Sequence, residues 1–292
     1  MMPAWTLLRP HQWLKNGFVL VGLLFGHNWN DPGLVMAVAI GFVAFCMASS
    51  AVYVFNDYND READARHPRK KMRPIASGSV SLRSARMLVA ALVAGALVLP
   101  AWFGLWGVMA AVVAYLVLNA AYTFKLKHVV LVDVFCIVAG FMIRLVCGTY
   151  AVGIMPSRWM LLCSFMLTLF LGFAKRRAEF GPALSGKAAG QGATRQVLRH
   201  YSPQMLDVLM AVTVSMTLVT YGLYTVDAMT AAMHGTDNLI ITLPIVTFGL
   251  FRYLYLIYRE GAGEDTGRDL LSDAQIRLAV VAWALAVFLL VR

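Results

Sequence analysis

Three aspartates follow a long apolar segment at a spacing that suits metal binding. In the run from Asn56 to Asp64, the carboxylates of Asp57, Asp60 and Asp64 are separated by three and then four residues. If the preceding helix continues, all three lie on one face and repel one another unless a cation lies between them. Oxygen ligands of this kind suit Mg²⁺ bound to substrate phosphates. The alternative, a solvated acidic helix end, is disfavoured because negative charge at a helix C-terminus opposes the helix dipole.

A basic cluster follows the aspartates directly. Its members are Arg66, His67, Arg69, Lys70, Lys71 and Arg73. On its own, such a cluster is typical of a cytoplasmic loop of a membrane protein. Beside a Mg²⁺ site it indicates a clamp for an anionic substrate, with Arg73 as the leading candidate and Lys71 as the second.

Polar side chains also enter the first apolar segment together. Gln12, Lys15 and Asn16 share one helical face, which favours the lining of a polar site. The alternative is an interfacial anchor, with Trp13 and Lys15 at the membrane surface.

Charged residues recur at the ends of later segments and inside one of them. Asp133 and Arg144 are three helical turns apart, about 16 Å, on one face. Buried at that depth, Arg144 needs an anionic partner, either a protein carboxylate or the substrate. Lys127 precedes this segment, and Lys175 and Arg176 end the next one. Lys175 is also four residues before Glu179, so a local ion pair would explain it equally well. Polar residues at four such ends predict one funnel between helices.

The elements that must position these residues are membrane helices. The chain is 60% hydrophobic and only 14% charged over 292 residues, and a spanning helix needs about 20 apolar residues. We predict nine spans, of which the first is short. They lie near 14–27, 34–56, 84–105, 107–124, 129–152, 159–175, 204–226, 238–258 and 275–291.

The distribution of basic residues predicts the orientation. Five stretches on one side, with their flanks, hold 21 of the 25 lysines and arginines; the four others are Arg144, Arg158, Arg252 and Arg292. Such an asymmetry places the basic side, with the N-terminus, in the cytoplasm, and nine spans place the C-terminus outside. The net charge of +10 is therefore topological and does not indicate a nucleic-acid partner.

Several of these patterns occur together in one known family. The carriers are Arg9-Pro-x-Gln-Trp-x-Lys-Asn16, Asn56 to Asp64 continuing into His67-Pro68, Arg73-Pro-Ile-Ala-x-Gly78, Leu126-Lys127-His128, Ile143-Arg144 and Lys175-Arg176-x-Ala-Glu179. The chain resembles, over essentially its whole length, the UbiA superfamily of intramembrane prenyltransferases. Within it, the finer resemblance is to the decaprenyl-phosphate phosphoribosyltransferase branch.

The resemblance implies an all-α membrane protein with nine helices around a central cavity open to the cytoplasm. Residues 1–292 would form a single domain of the inner membrane, with loops near 57–83 and 176–203 capping the site. The implied reaction moves 5-phosphoribose from 5-phosphoribosyl 1-diphosphate to a polyprenyl phosphate, so the enzyme would be a Mg²⁺-dependent pentosyltransferase. Asp57, Asp60 and Asp64 would be catalytic metal ligands, with Asn56 assisting. The implied substrate-binding residues are Gln12, Lys15, Asn16, Lys71, Arg73, Lys127, Asp133, Arg144, Lys175 and Arg176.

One departure from the prenyltransferase pattern favours this branch. Prenyltransferases carry a second DxxxD motif, whereas here Asp133 is followed four residues later by Ile137. One acidic motif with many cations suits a donor that carries two separate phosphate groups. The alternatives are a prenyltransferase acting on an aromatic or other small acceptor, and a transporter or lipid-binding protein without catalysis. The sequence leaves the acceptor, the pathway and a homo-oligomeric state open.

Overall fold

The computed structural model describes residues 3–26, 29–66, 70–180, 196–263 and 266–291. All regular structure within these ranges is helical, without any strand. The α-helices are α1 (Pro3–Leu8), α2 (Val21–Phe25), α3 (Pro32–Asn59), α4 (Arg61–Ala65), α5 (Leu82–Trp102), α6 (Trp106–Phe124), α7 (Val132–Ala151), α8 (Arg158–Glu179), α9 (Pro203–Val226), α10 (Ala228–His234), α11 (Leu243–Glu260), α12 (Thr266–Ser272) and α13 (Ala274–Leu290). The 3₁₀ helices are Pro10–Leu20, Lys70–Met72, Leu126–His128, Gln196–His200 and Asn238–Thr242. The basic residues His67 and Arg69 lie outside the described ranges.

Seven of the predicted spans correspond to helices that are long and apolar enough to cross a membrane. These are Pro32–Asn59, Leu82–Trp102, Trp106–Phe124, Val132–Ala151, Arg158–Glu179, Pro203–Val226 and Asn238–Arg259. The ninth predicted span is the shorter apolar helix α13, and the first is divided between the 3₁₀ helix Pro10–Leu20 and α2. The predicted count of nine is therefore not confirmed, whereas the all-helical class is.

The starts of the long helices are fixed by capping residues. Asp31 precedes Pro32, and its carboxylate accepts hydrogen bonds from the N–H groups of Gly33 and Leu34. The helices α5, α8 and α9 begin in the same way, with Ser81, Ser157 and Ser202 as their caps. Each serine hydroxyl accepts a hydrogen bond from the N–H group three residues later. A cap satisfies donors that the first helical turn leaves without partners.

The chain divides into two compact units. Of the described residues, those up to Met155 form the first unit and those from Pro156 onward form the second. In the first unit, α3 packs against α5, α6, α7 and the 3₁₀ helix Pro10–Leu20. Its core centres on Phe45, Val112 and Cys147.

A smaller apolar cluster in the first unit supports the loop that follows α4. Leu7 of α1, Val54 of α3, Ile75 of the loop and Ala85 of α5 are buried together. Because Ile75 is anchored in this cluster, the preceding Arg73 is held beside the end of α3.

The 3₁₀ helix Pro10–Leu20 lies unusually close to α7. A Cβ atom at Gly148 would clash with the carbonyl oxygen of Val19, and one at Gly22 would lie 2.6 Å from the carbonyl oxygen of Gly148. No side chain fits at either position, so both glycines are required for this close packing. A run of 11 residues in 3₁₀ geometry is uncommon, and this contact holds it against α7.

In the second unit, α8 packs against α9, and α11 packs against α13. The predicted intramembrane cation Arg252 of α11 forms an ion pair with Asp273, at 2.8 Å. The hydrogen bond from Arg252 lowers the pKa of the Asp273 carboxyl. Asp273 also caps α13 by accepting from the N–H of Ile276, so the pair joins the two helices.

Candidate functional site

The predicted acidic run lies where α3 ends. The backbone of Asp60, at φ −86° and ψ 3°, interrupts the helix, and α4 resumes at Arg61. Hydrogen bonds from the Asp60 N–H to the Asn56 carbonyl and from the Asp64 N–H to the Asp60 carbonyl keep the two helices in register across the break. The helix thus does not continue unbroken, and Asp57 and Asp64 are buried while the Asp60 side chain is half-exposed.

Asp57 is enclosed by two arginines. Arg9 donates from Nη2 to both carboxylate oxygens, at 2.7 and 3.0 Å, and Arg73 donates from Nη1 to Oδ1, at 3.0 Å. The Arg9 guanidinium also stacks over the ring of Tyr53, 5.1 Å from its centroid. Since Tyr53 lies one helical turn before Asp57, both partners of Arg9 occupy the same face of α3.

Arg73 joins the two buried carboxylates. Its Nη1 atom lies 2.7 Å from Oδ2 of Asp64, in addition to its contact with Asp57. The loop that carries Arg73 is closed by its own backbone hydrogen bonds, from Arg73 to Lys70 and from Ser77 to Arg73, both at 2.9 Å. Gly78 allows the final turn, with φ of 76°, a conformation that side chains disfavour.

The remaining aspartate, Asp60, has a different environment. Lys127, from the 3₁₀ helix Leu126–His128, lies 3.8 Å from Oδ1 of Asp60. Lys71 is exposed beside Arg73 in the sequence. Lys127, Arg73 and the three aspartates are therefore brought together by the first unit alone.

The amide of Asn56 is held by α6. Thr123 donates its hydroxyl to Oδ1 of Asn56, at 2.8 Å, and to the carbonyl of Asn119. This contact fixes the orientation of α3 relative to α6 next to the aspartates.

The donor atoms of this site suit Mg²⁺, but arginines occupy their oxygens in this arrangement. Two buried carboxylates, a half-exposed one and an amide oxygen are the hard ligands that Mg²⁺ prefers. Among the residues described, no three Asp, Glu, His or Cys side chains converge closely enough to hold a metal ion. The ligand set fits in its chemistry, and the side chains must move for it to close around an ion.

The polar residues of the first predicted span have protein partners. Gln12 accepts from the hydroxyl of Tyr53, at 3.3 Å, and Lys15 is partly exposed. Asn16 is fully buried and donates to Cys46 and to Ser49, at 3.3 Å each. Asn16 therefore fastens the 3₁₀ helix to α3.

Arg144 is buried in α7 among neutral groups. Its Nε donates to Oδ1 of Asn16 and its Nη1 to the carbonyl of Gly140, both at 2.8 Å. Its guanidinium faces the rings of Tyr115, Phe45 and Phe141, with centroids at 4.4, 5.5 and 5.6 Å. Within the described part of the chain, no carboxylate forms a salt bridge with it, so the expected protein anion is replaced by carbonyl dipoles and aromatic faces.

The remaining predicted residues lie at helix ends. Asp133 is fully buried in the first turn of α7. In the second unit, Arg176 is fully buried at the end of α8 and pairs with Glu179, at 3.0 Å, and Lys175 is partly buried. Binding of a substrate by these residues stays a prediction.

Sequence reasoning missed Arg9 as a site residue. Arg9 was part of the recognised motif, but nothing in its spacing placed it beside an aspartate 48 positions later. Tyr53 could have been found, because it lies four residues before Asp57 and so shares its helical face. For Thr123 the sequence offered no signal.

The chain is similar to proteins of one known family over most of its length. The model of the UbiA prenyltransferase family matches residues 17–272. The decaprenyl-phosphate phosphoribosyltransferase of Corynebacterium glutamicum is 32% identical over 294 residues, covering 97% of this chain and 85% of the relative. The enzyme of the same name from Mycolicibacterium smegmatis is 32% identical over 287 residues, covering 94% and 88%.

Solved structures share the fold. A UbiA homologue from Archaeoglobus fulgidus bound to GPP and Mg²⁺ superposes with a TM-score of 0.70 at 18% identity, over 98% of this chain and 99% of that one. A UbiA homologue from Aeropyrum pernix in its apo state gives a TM-score of 0.68 at 13% identity, over 96% and 98%.

Proposed function

Because this chain belongs to the UbiA prenyltransferase family, we propose that it is a membrane phosphoribosyltransferase. It transfers 5-phosphoribose from 5-phosphoribosyl 1-diphosphate to a polyprenyl phosphate. The observation that carries this proposal is similarity over nearly the full chain to relatives named decaprenyl-phosphate phosphoribosyltransferase. The cation-rich surroundings of a single acidic motif support it, since this donor bears phosphates at both ends of a sugar.

The proposed reaction is a substitution at the ribose. A phosphate oxygen of the acceptor forms a bond to C1, the bond from C1 to the diphosphate oxygen breaks, and diphosphate leaves with the electron pair. The attacking oxygen is already anionic, so no strong general base is required. Positioning of the two phosphates and stabilisation of charge on the leaving group account for the catalysis.

In the first unit, the acidic residues would bind the metal and the basic residues would bind the phosphates. Asp57, Asp60 and Asp64, with Asn56, would hold Mg²⁺, which when bound neutralises charge on the leaving diphosphate. Arg73, Lys71, Lys127 and Lys15 would bind phosphate oxygens. Bidentate guanidinium contacts are efficient for phosphate.

A transfer assay tests the proposed function. Membranes containing the protein are incubated with Mg²⁺, a polyprenyl phosphate and 5-phosphoribosyl 1-diphosphate labelled in the ribose. We expect the label to enter the lipid extract and diphosphate to be released in equal amounts.

The same membranes separate this function from ordinary prenyl transfer. Geranyl diphosphate has no group for the cations that bind the 5-phosphate, so we expect it neither to react nor to compete well. Consumption of a prenyl diphosphate with an aromatic acceptor, without use of the phosphoribosyl donor, would instead establish a prenyltransferase.

The chain is a multi-pass membrane protein, and its orientation is a further prediction. We propose that it lies in the inner membrane with the N-terminus and the site facing the cytoplasm, because basic residues are retained on that side. A reporter fused after Arg292 should be found outside, and one inserted near Gly190 should be found in the cytoplasm; both positions lie outside the described residues. Both reporters on the same side would contradict the nine-span topology.

A further inference from the structure

The oxygens that would bind a metal already accept hydrogen bonds from arginine. Oδ1 of Asp57 accepts from Arg9 and from Arg73, and Oδ2 accepts from Arg9 as well. Oδ2 of Asp64 accepts from Arg73. A carboxylate oxygen offers two lone pairs, so Oδ1 of Asp57 has none left for a cation. Metal binding through Oδ1 of Asp57 must therefore break one of these contacts, whereas Oδ2 keeps one lone pair.

The charges point to the same conclusion. Two buried carboxylates and two guanidiniums form a neutral set, to which a divalent ion would add two positive charges. Guanidinium groups that stayed beside the ion would repel it. The repulsion disappears if each arginine moves from its carboxylate to an anion that arrives with the metal.

Both arginine side chains are more exposed than the carboxylates that they contact. The Arg9 and Arg73 side chains are 24% and 29% exposed, whereas those of Asp57 and Asp64 are each 5% exposed. The backbone of Arg9 is also held in the left-handed region, with φ of 50° and ψ of 60°. This conformation is unfavourable for a residue with a side chain, and more so before a proline such as Pro10. Release of the ion pair with Asp57 would let Arg9 leave this backbone conformation.

We infer that Arg9 and Arg73 are exchangeable counter-ions of the metal site. In this structure they pair with Asp57 and Asp64, and on binding of metal and donor they would move onto phosphate oxygens of the donor. The inference rests on the proposed function for the identity of that donor. It makes Arg9 a positioning and phosphate-binding residue, a role that the sequence did not assign to it.

The exchange has a consequence for the order of binding. A metal ion that binds alone displaces arginines that then have no partner. A metal ion that binds together with the donor brings phosphate groups to which the arginines can bind. The two ligands therefore bind cooperatively, with a coupling free energy set by the arginines.

Two binding measurements on the purified full-length protein test this inference. The first measures the affinity for Mn²⁺ alone from the loss of the electron paramagnetic resonance signal of the free ion. The second measures binding of 5-phosphoribosyl 1-diphosphate at saturating Mg²⁺ by calorimetry. For Arg73→Gln we expect Mn²⁺ to bind about tenfold more tightly, because a cation that competes for the carboxylates is gone. We expect the donor to bind about tenfold more weakly, because one charge-assisted contact to its phosphates is lost. Arg9→Gln should shift both affinities in the same directions.

The opposite signs of these changes distinguish exchange from a structural role. If the arginines merely held the carboxylates in place for the metal, Arg73→Gln would weaken Mn²⁺ binding, and unchanged or weaker binding overturns the inference. Unchanged donor affinity in both variants also overturns it. Arg83→Gln, at an exposed position of α5, removes the same charge and should change neither affinity.

Further variants guard against misfolding and against failure of the proposed donor. Arg73→Lys keeps the charge and loses the bridge, so it should give an intermediate gain in Mn²⁺ affinity if Arg73→Gln does not fold. Failure of the wild-type protein to bind the donor would contradict the proposed function. The Mn²⁺ measurement would still decide whether the arginines compete with the metal.

Discussion

Replacement of Asp60 by asparagine is expected to lower the rate of transfer by about a hundredfold or more, an effect typical of losing one charge that stabilises a transition state. Folding should be almost unaffected, because the Asp60 side chain is 48% exposed and its cation Lys127 lies 3.8 Å away. Surface ion pairs of this kind contribute about 0–1 kcal/mol. Of the three aspartates, Asp60 therefore separates function from stability most cleanly.

Initial rates of transfer and thermal unfolding in detergent check this expectation. Glu62→Gln is a matched control, because Glu62 is an exposed acid two residues away whose partner is Arg61. The control should keep full activity. Excess chelator should inhibit the wild-type protein, and added Mg²⁺ should restore it; full activity in chelator would remove the metal from the mechanism.

Of the replacements proposed, that of Arg144 should lower the stability of the fold most. The loss of stability should depend on the new side chain. Arg144→Ala leaves a cavity among Phe45, Tyr115 and Phe141 and removes the donor to Asn16. Loss of a large buried side chain of this kind costs about 2–5 kcal/mol. Arg144→Met refills the cavity and keeps favourable contacts between sulfur and the rings. We expect the Arg144→Met variant to fold with little loss of stability. We expect its activity to fall clearly, because the positive charge is gone.

Thermal unfolding of both variants, with transfer rates for the methionine variant, measures this difference. Asn16→Ala combined with Arg144→Met should cost less than the sum of the single changes, since both remove the same hydrogen bond. A methionine variant that cannot be extracted as folded protein would instead support a structural role for Arg144. Full activity would exclude a role for its charge in substrate binding.

The class of the fold and the position of the acidic run at a helix end were predictable because both depend on local sequence. Long apolar runs placed seven membrane-length helices to within a few residues, since a helix that satisfies its own backbone is what lipid requires. The first span was poorly described. Hydropathy measures length and polarity, but the 3₁₀ geometry of Pro10–Leu20 accompanies the contact of Val19 with Gly148, which is distant in the sequence.

The sequence by itself determined which residue types meet at the end of α3: carboxylates at helical spacing, followed by a basic loop. Only the tertiary structure decided their pairing. It set Asp60 apart from Asp57 and Asp64, assigned Arg73 to both buried carboxylates and brought in Arg9 from 48 positions away. It also surrounded Arg144 with aromatic rings where an anion was expected. The reason is physical: helical periodicity fixes neighbours within one or two turns, whereas contacts between helices depend on how side chains pack, and on that scale no periodicity in the sequence specifies the partner.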